Sequence, residues 1–326
     1  MQESYFWIVF AIIFVAGLTL DLFIFQRKAH IIPVKEALKL VAFWVALGLT
    51  FNLIVYFYKG PEKGAEFLTA YLVEYSLSID NLFVFLALFT YFAVPREAQR
   101  KVLLWGILGA IVFRGIFIFA GIALVERFHF LIYILGLLLI YTAIKLITQK
   151  EKEVDPEKNP LVRLARRFMR VDTQYDGSKF FKRANGVLWA TPLLITLLSI
   201  ETMDVMFAVD SVPAVFGITL DPFIVYTSNI FAILGLRALF FAIAGLFYAF
   251  RYLVYGLCIV LAFVGIKMLL VDVYHMPTLI SLGIVFALIL GSILASIIFP
   301  KKKPEELIPK ANTLEKEEIR RESKSS

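Results

Sequence analysis

Two clusters of acidic residues stand inside apolar stretches of this 326-residue chain, at a shared spacing. The first, "EYSLSIDN", holds Glu74, Asp80 and Asn81. The second, "ETMDVMFAVDS", holds Glu201, Asp204, Asp210 and Ser211. Six residues separate Glu74 from Asp80, and six separate Asp204 from Asp210. Each cluster closes on an aspartate followed by a small polar residue. A carboxylate in hydrocarbon is costly unless paired or hydrated, so such groups mark ion pathways by default.

Asp21 is a sixth carboxylate in an apolar run, near its end, and is a candidate support. Arg114 and Arg237 can neutralise two of the six, acting as counter-charges or gates, while Lys145 and Lys267 can reach toward the interfaces. The excess negative charge calls for a cation as ligand, with protons as companions. The donors are almost all oxygen. His30, His129 and His275 sit at span ends, and Cys258, the sole cysteine, is remote and excludes an intrachain disulfide. Oxygen-only sites favour magnesium, calcium or manganese(II). Met203 and Met206 would bias the site toward softer ions, although packing is their plainer role. This chemistry reaches as far as a hard divalent cation or a proton.

Geometry adds a demand. At 100° per residue, side chains six apart on a helix point about 120° apart. One ion therefore needs either a local unwinding or sharing between facing helices. Pro213 offers an unwinding in the second cluster, by freeing the carbonyl of Val209. Ser76, Ser78 and Asn81 offer one in the first. Glu201 and Asp204, three apart, can share a face. Asn52 and Asn229 are candidate polar supports, and Gly106, Gly109, Gly115 and Gly121 allow close packing around Arg114.

The elements that must position these groups are membrane helices. The chain is 60% hydrophobic with a mean hydropathy of +0.81, and apolar runs of spanning length recur. The reading is an all-α polytopic membrane protein with about nine spans: 6–25, 38–58, 67–92, 102–125, 129–147, 187–215, 222–248, 252–273 and 278–299. With the N-terminus outside, 26 of the 33 Lys and Arg fall at the inner face and only Lys59, Lys63 and Arg127 in outer loops, as the positive-inside rule requires. The N-terminus lacks a basic segment, so no cleaved signal peptide is expected. The basic loop 148–186 contains "PLVRLARRFMRV", which reads as an amphipathic helix on the anionic inner leaflet. The tail 300–326 is charged and expected to be disordered. Nothing reads as a nucleic-acid module.

Residues 1–58 form two leading spans. The three spans of 67–147 and the three of 187–273 carry matching markers: the acidic clusters, then Arg114 and Arg237, then Lys145 and Lys267. An odd number of spans makes the second copy run opposite to the first, an inverted 3+3 repeat whose site belongs near the midplane. The span at 278–299 closes the chain.

At these motifs the chain resembles the TerC family of integral membrane proteins. The resemblance rests on "LDLFIFQRKAH" at 20–30, "VEYSLSIDNLFVF" at 73–85 and "SIETMDVMFAVDSVPAVF" at 199–216. It implies a plasma (inner) membrane protein that exports manganese(II) as a transported ion, with no fixed cofactor. It also implies that Glu74, Asp80, Glu201, Asp204 and Asp210 handle the metal. A second reading is a factor for membrane-protein assembly or for metalation of exported enzymes, docking through the 148–186 loop. An enzyme is not expected: no HExxH signature, nucleophile elbow or phosphate-binding glycine loop is present.

Overall fold

Proline and glycine set the helix boundaries more sharply than hydropathy does. The structure, a computed structural model, describes residues 2–24, 34–148, 170–172, 174–184, 187–243, 252–274 and 276–299. Among these the chain forms nine helices and a small sheet: α1 (Gln2–Ile24), α2 (Val34–Lys59), α3 (Pro61–Tyr91), α4 (Arg96–Arg127), α5 (Leu131–Thr148), β1 (Arg170–Val171), β2 (Phe181–Ala184), β3 (Val187–Ala190), α6 (Pro192–Phe216), α7 (Pro222–Ile243), α8 (Leu253–Leu269) and α9 (Thr278–Ile298). Six of the nine, α1, α2, α4, α6, α7 and α9, are long and apolar enough to cross a membrane, and α5 and α8 are shorter apolar helices.

Three helix starts differ from expectation by five residues or more, one of them α4, which begins at Arg96 rather than at 102. Helix α3 begins at Pro61, behind Gly60 with φ 97°, because proline fits the first helical turn. Glu62, Lys63 and Glu66 therefore belong to the helix. The sixth span was expected from residue 187, but Val187–Ala190 is strand β3 and α6 starts at Pro192. The strand pairs antiparallel with β2, Phe181 opposite Ala190 through Ala184 opposite Val187, and parallel with β1. Its run of apolar residues satisfies a sheet as readily as a helix. Of the amphipathic stretch 160–171, expected as a helix, Arg170–Val171 is strand β1, and the rest, like the tail 300–326, lies outside the described residues.

Neither acidic cluster unwinds its helix. Pro213 lies within the last turn of α6, where its missing donor removes a single bond, and the Gly217 N–H bonds the Pro213 carbonyl at 3.1 Å. The expected break is absent, so the carboxylates can be shared only between helices.

Helix α3 packs against α6 and α7, α4 against the same two, and α5 against α8. The α5–α8 crossing is glycine on glycine. A Cβ on Gly136 would stand 2.9 Å from the Gly265 carbonyl oxygen, and one on Gly265 would stand 2.7 Å from that of Gly136. A small residue at each helix lets the two backbones touch. An aromatic cluster joins α1, α2, α3 and α7, with Trp7 5.0 Å from Phe223 and Phe51 4.9 Å from Phe231, ring centre to ring centre. The sheet is tied to the far end of α3 and α4: the Tyr175 hydroxyl donates to the Phe92 carbonyl at 2.6 Å and Lys101 to the Ser178 carbonyl at 2.7 Å.

Candidate functional site: a buried arginine between two carboxylates

Arg114 of α4 is fully buried and gathers groups from three other helices. Its Nε donates to Asp204 Oδ2 and its Nη2 to Asp204 Oδ1, both at 3.2 Å. This two-pronged pairing is the strong geometry for a guanidinium and a carboxylate. Nη1 donates to Glu74 Oε1 of α3, to Ser211 Oγ at 3.2 Å and to Asn229 Oδ1 of α7 at 3.4 Å. Ser78 donates to the same Glu74 oxygen at 3.3 Å. One cation thus sits on two carboxylates where α3, α4, α6 and α7 meet.

The periodicity explains the placement. Glu74 and Ser78 share a face of α3 at one-turn spacing, and Asp204 and Ser211 lie two turns apart on one face of α6. Asp210 points elsewhere. It is half-buried and accepts a hydrogen bond from Thr142 of α5 at 3.0 Å. Thr142 had no signal in the sequence beyond being a hydroxyl in an apolar run.

Glu201 lies one turn before Asp204, within its electrostatic range. Its carboxylate rests on α4 at Gly109, where a Cβ would overlap both of its oxygens. Gly109 is therefore required by contact rather than by backbone conformation. Among the described residues, Glu74 Oε2, Glu201 Oε2 and Asn229 Nδ2 are buried without a hydrogen-bond partner. Buried polar groups are normally satisfied, so this site holds spare capacity for a ligand. A buried cavity lined by Leu82, Phe85, Ile107, Ala110 and Ile200 touches Asp204 on the side of the site nearer the sheet.

The other expected residues lie apart from this cluster or outside the described side chains. Asn81 is buried further along α3. The side chains of Asp80 and Arg237 lie outside the described residues. Asp21 is buried at the end of α1, in the electrostatic company of Arg100, which also feels Glu36. Met206 is 52% exposed and faces away from the site. No group of three or more His, Cys, Asp or Glu among the described residues is arranged to hold a metal ion in this conformation. The Arg114 guanidinium lies between two of the carboxylates that would have to converge.

These features define a polytopic helical membrane protein with a charge cluster in its interior. The chain belongs to the family described as "Integral membrane protein TerC family", matched over residues 59–304. It is 49% identical over 298 residues to "Uncharacterized membrane protein STKORF319" of Myxococcus xanthus, covering 91% of this chain and 93% of that one. It is 47% identical over 292 residues to "Putative membrane-bound redox modulator Alx" of Salmonella typhi, covering 87% and 91%. Its identity to the protein of the same name in Escherichia coli (strain K12) is 46% over the same shares. No solved structure matches the chain.

Proposed function

We propose that this TerC-family protein is a secondary transporter that exports divalent cations, manganese(II) foremost, across the inner membrane. The observation that carries the reading is the fully buried Glu74–Arg114–Asp204 cluster. Breaking such a buried pair is strongly destabilising, while an apolar replacement of the whole pair is often neutral. Charge in this place therefore argues for function. The guanidinium is a tethered stand-in for the cargo. An arriving cation displaces it and takes the oxygens of Glu74 and Asp204, with Glu201 beside them as a third carboxylate. In this reading the cation approaches Asp204 from the cytoplasmic side, the side on which the buried cavity lies.

In this reading all nine helices cross the bilayer, with the N-terminus outside and the basic segments and sheet inside. Helices α3–α5 and α6–α8 are inverted copies, corresponding to the 67–147 and 187–273 repeats. The packing fits that pairing: α3 on α7 mirrors α4 on α6, and α5 on α6 mirrors α3 on α8. Rocking of one copy against the other opens the site to each side in turn, with protons as the counter-ion.

The relatives' name points to redox modulation. A thiol–disulfide version of that role within this chain would need two cysteines, and only Cys258 is present. The test is cellular manganese in cells that lack their own exporters. Expression of the wild type should lower it under manganese challenge, and Asp204→Asn, at equal membrane abundance, should not. Equal lowering by both would refute the proposal.

A further inference from the structure

The end of the bundle where α3 begins is closed by charge. Lys59, the last residue of α2, lies with its Nζ 3.5 Å from Asp221 Oδ2. Lys63 of α3 lies 3.8 Å from the same oxygen and 2.8 Å from Glu66 Oε2. Glu66 is buried and is felt by Lys267 at the end of α8. The Lys59 ammonium also stands over two rings, 4.6 Å from Phe223 and 5.4 Å from Phe6. The second oxygen of Asp221 caps α7, accepting from the N–H groups of Phe223 at 3.0 Å and Ile224 at 3.3 Å. Four helices, α1, α2, α3 and α7, are thereby linked at one end.

Glu66 and Glu74 are eight residues apart on α3, which places the charge layer about 12 Å from the buried site. The cavity that reaches Asp204 lies on the other side of that site, among Leu82, Phe85 and Ile107. The buried cavity thus lies on the sheet side of the site and the charge layer on the opposite side.

We infer that Lys59, Lys63, Glu66 and Asp221 form a releasable latch that shuts the outer mouth of the pathway while the site faces inward. This rests on the transport reading above. Lys63–Glu66 lies within α3 and holds Lys63 in place; the bonds that cross between helices all end on Asp221. Partly exposed ion pairs of this kind are individually weak, so the latch opens without unfolding anything. When α7 swings away from α2 and α3, Asp221 and Glu66 are uncovered for the departing ion.

The test reads accessibility rather than flux. Thr69 of α3 is fully buried, one turn inside Glu66. Thr69→Cys, in a Cys258→Ala background, is labelled in right-side-out vesicles with a membrane-impermeant maleimide. Asp221→Asn is then added, because asparagine keeps the helix cap while removing the charge. Labelling should rise about tenfold, the scale expected from losing two weak pairs. Lys59→Met, which removes one of the two pairs that end on Asp221, should raise the labelling in the same direction. Unchanged labelling in Asp221→Asn and in Lys59→Met would overturn the latch. Labelling does not depend on flux, so failure of the transport reading would not be mistaken for failure of the latch.

Discussion

Replacing Arg114 by methionine removes the cation and keeps a side chain of similar reach. The structure assigns Arg114 two carboxylate partners, Glu74 with no exposure and Asp204 with 5%. Stranding one buried charge costs about 3–5 kcal/mol, and this variant strands two. The loss is therefore at least that large, against a total stability of roughly 5–15 kcal/mol for a typical domain. If the guanidinium stands in for the cargo, manganese(II) should repair the variant. At a hundred times its dissociation constant it would return about 2.7 kcal/mol. A triple variant, Arg114→Met with Glu74→Gln and Asp204→Asn, should regain stability without metal and lose the response to it. Thermal unfolding of detergent-solubilised protein, followed across a manganese titration, reads all three. The reasoning fails if Arg114→Met is as stable as the wild type, or if manganese stabilises the triple variant as strongly as it does Arg114→Met.

Gly109→Ala should push the Glu201 carboxylate off α4, lowering export several-fold while the protein still folds, as export and melting measured on one preparation would show. Thr142→Val removes the hydrogen bond to Asp210 and should cost about 1 kcal/mol, with the manganese response in the same titration unchanged, because Asp210 points away from Arg114. Asp21→Asn, beside Arg100 and remote from Arg114, should lower stability and leave manganese-induced stabilisation intact; a lost metal response would place Asp21 at the site.

Much of this arrangement is legible from residue types. The cost of charge in an apolar run singles out Glu74 and Asp204, and the helical period puts Ser211 on the face of Asp204 and turns Asp210 away. Asn229 was visible as a lone amide in an apolar segment. What a sequence cannot supply is which helix faces which. Only the packing of both α3 and α4 on α6 and α7 makes Arg114 the partner of both carboxylates, and only the neighbour of α6 reveals Thr142. Pro213 misleads because proline signals a break, yet within the last turn of α6 little ladder remains to be broken. Glu66 escapes because hydropathy starts the third span after it, whereas Gly60-Pro61 starts the helix before it. Val187–Ala190 shows the same limit in reverse, an apolar run whose strand pairing depends on partners elsewhere in the chain.

The central claim, that the Glu74–Arg114–Asp204 cluster lies on a cation path, is tested most directly by manganese(II) uptake into inside-out vesicles containing the purified protein. Wild type and Glu74→Gln are compared, each with and without a proton gradient. The account predicts uptake by the wild type and, in the variant, a fall to the level of protein-free vesicles, with both proteins folded. Equal uptake by the two would contradict it.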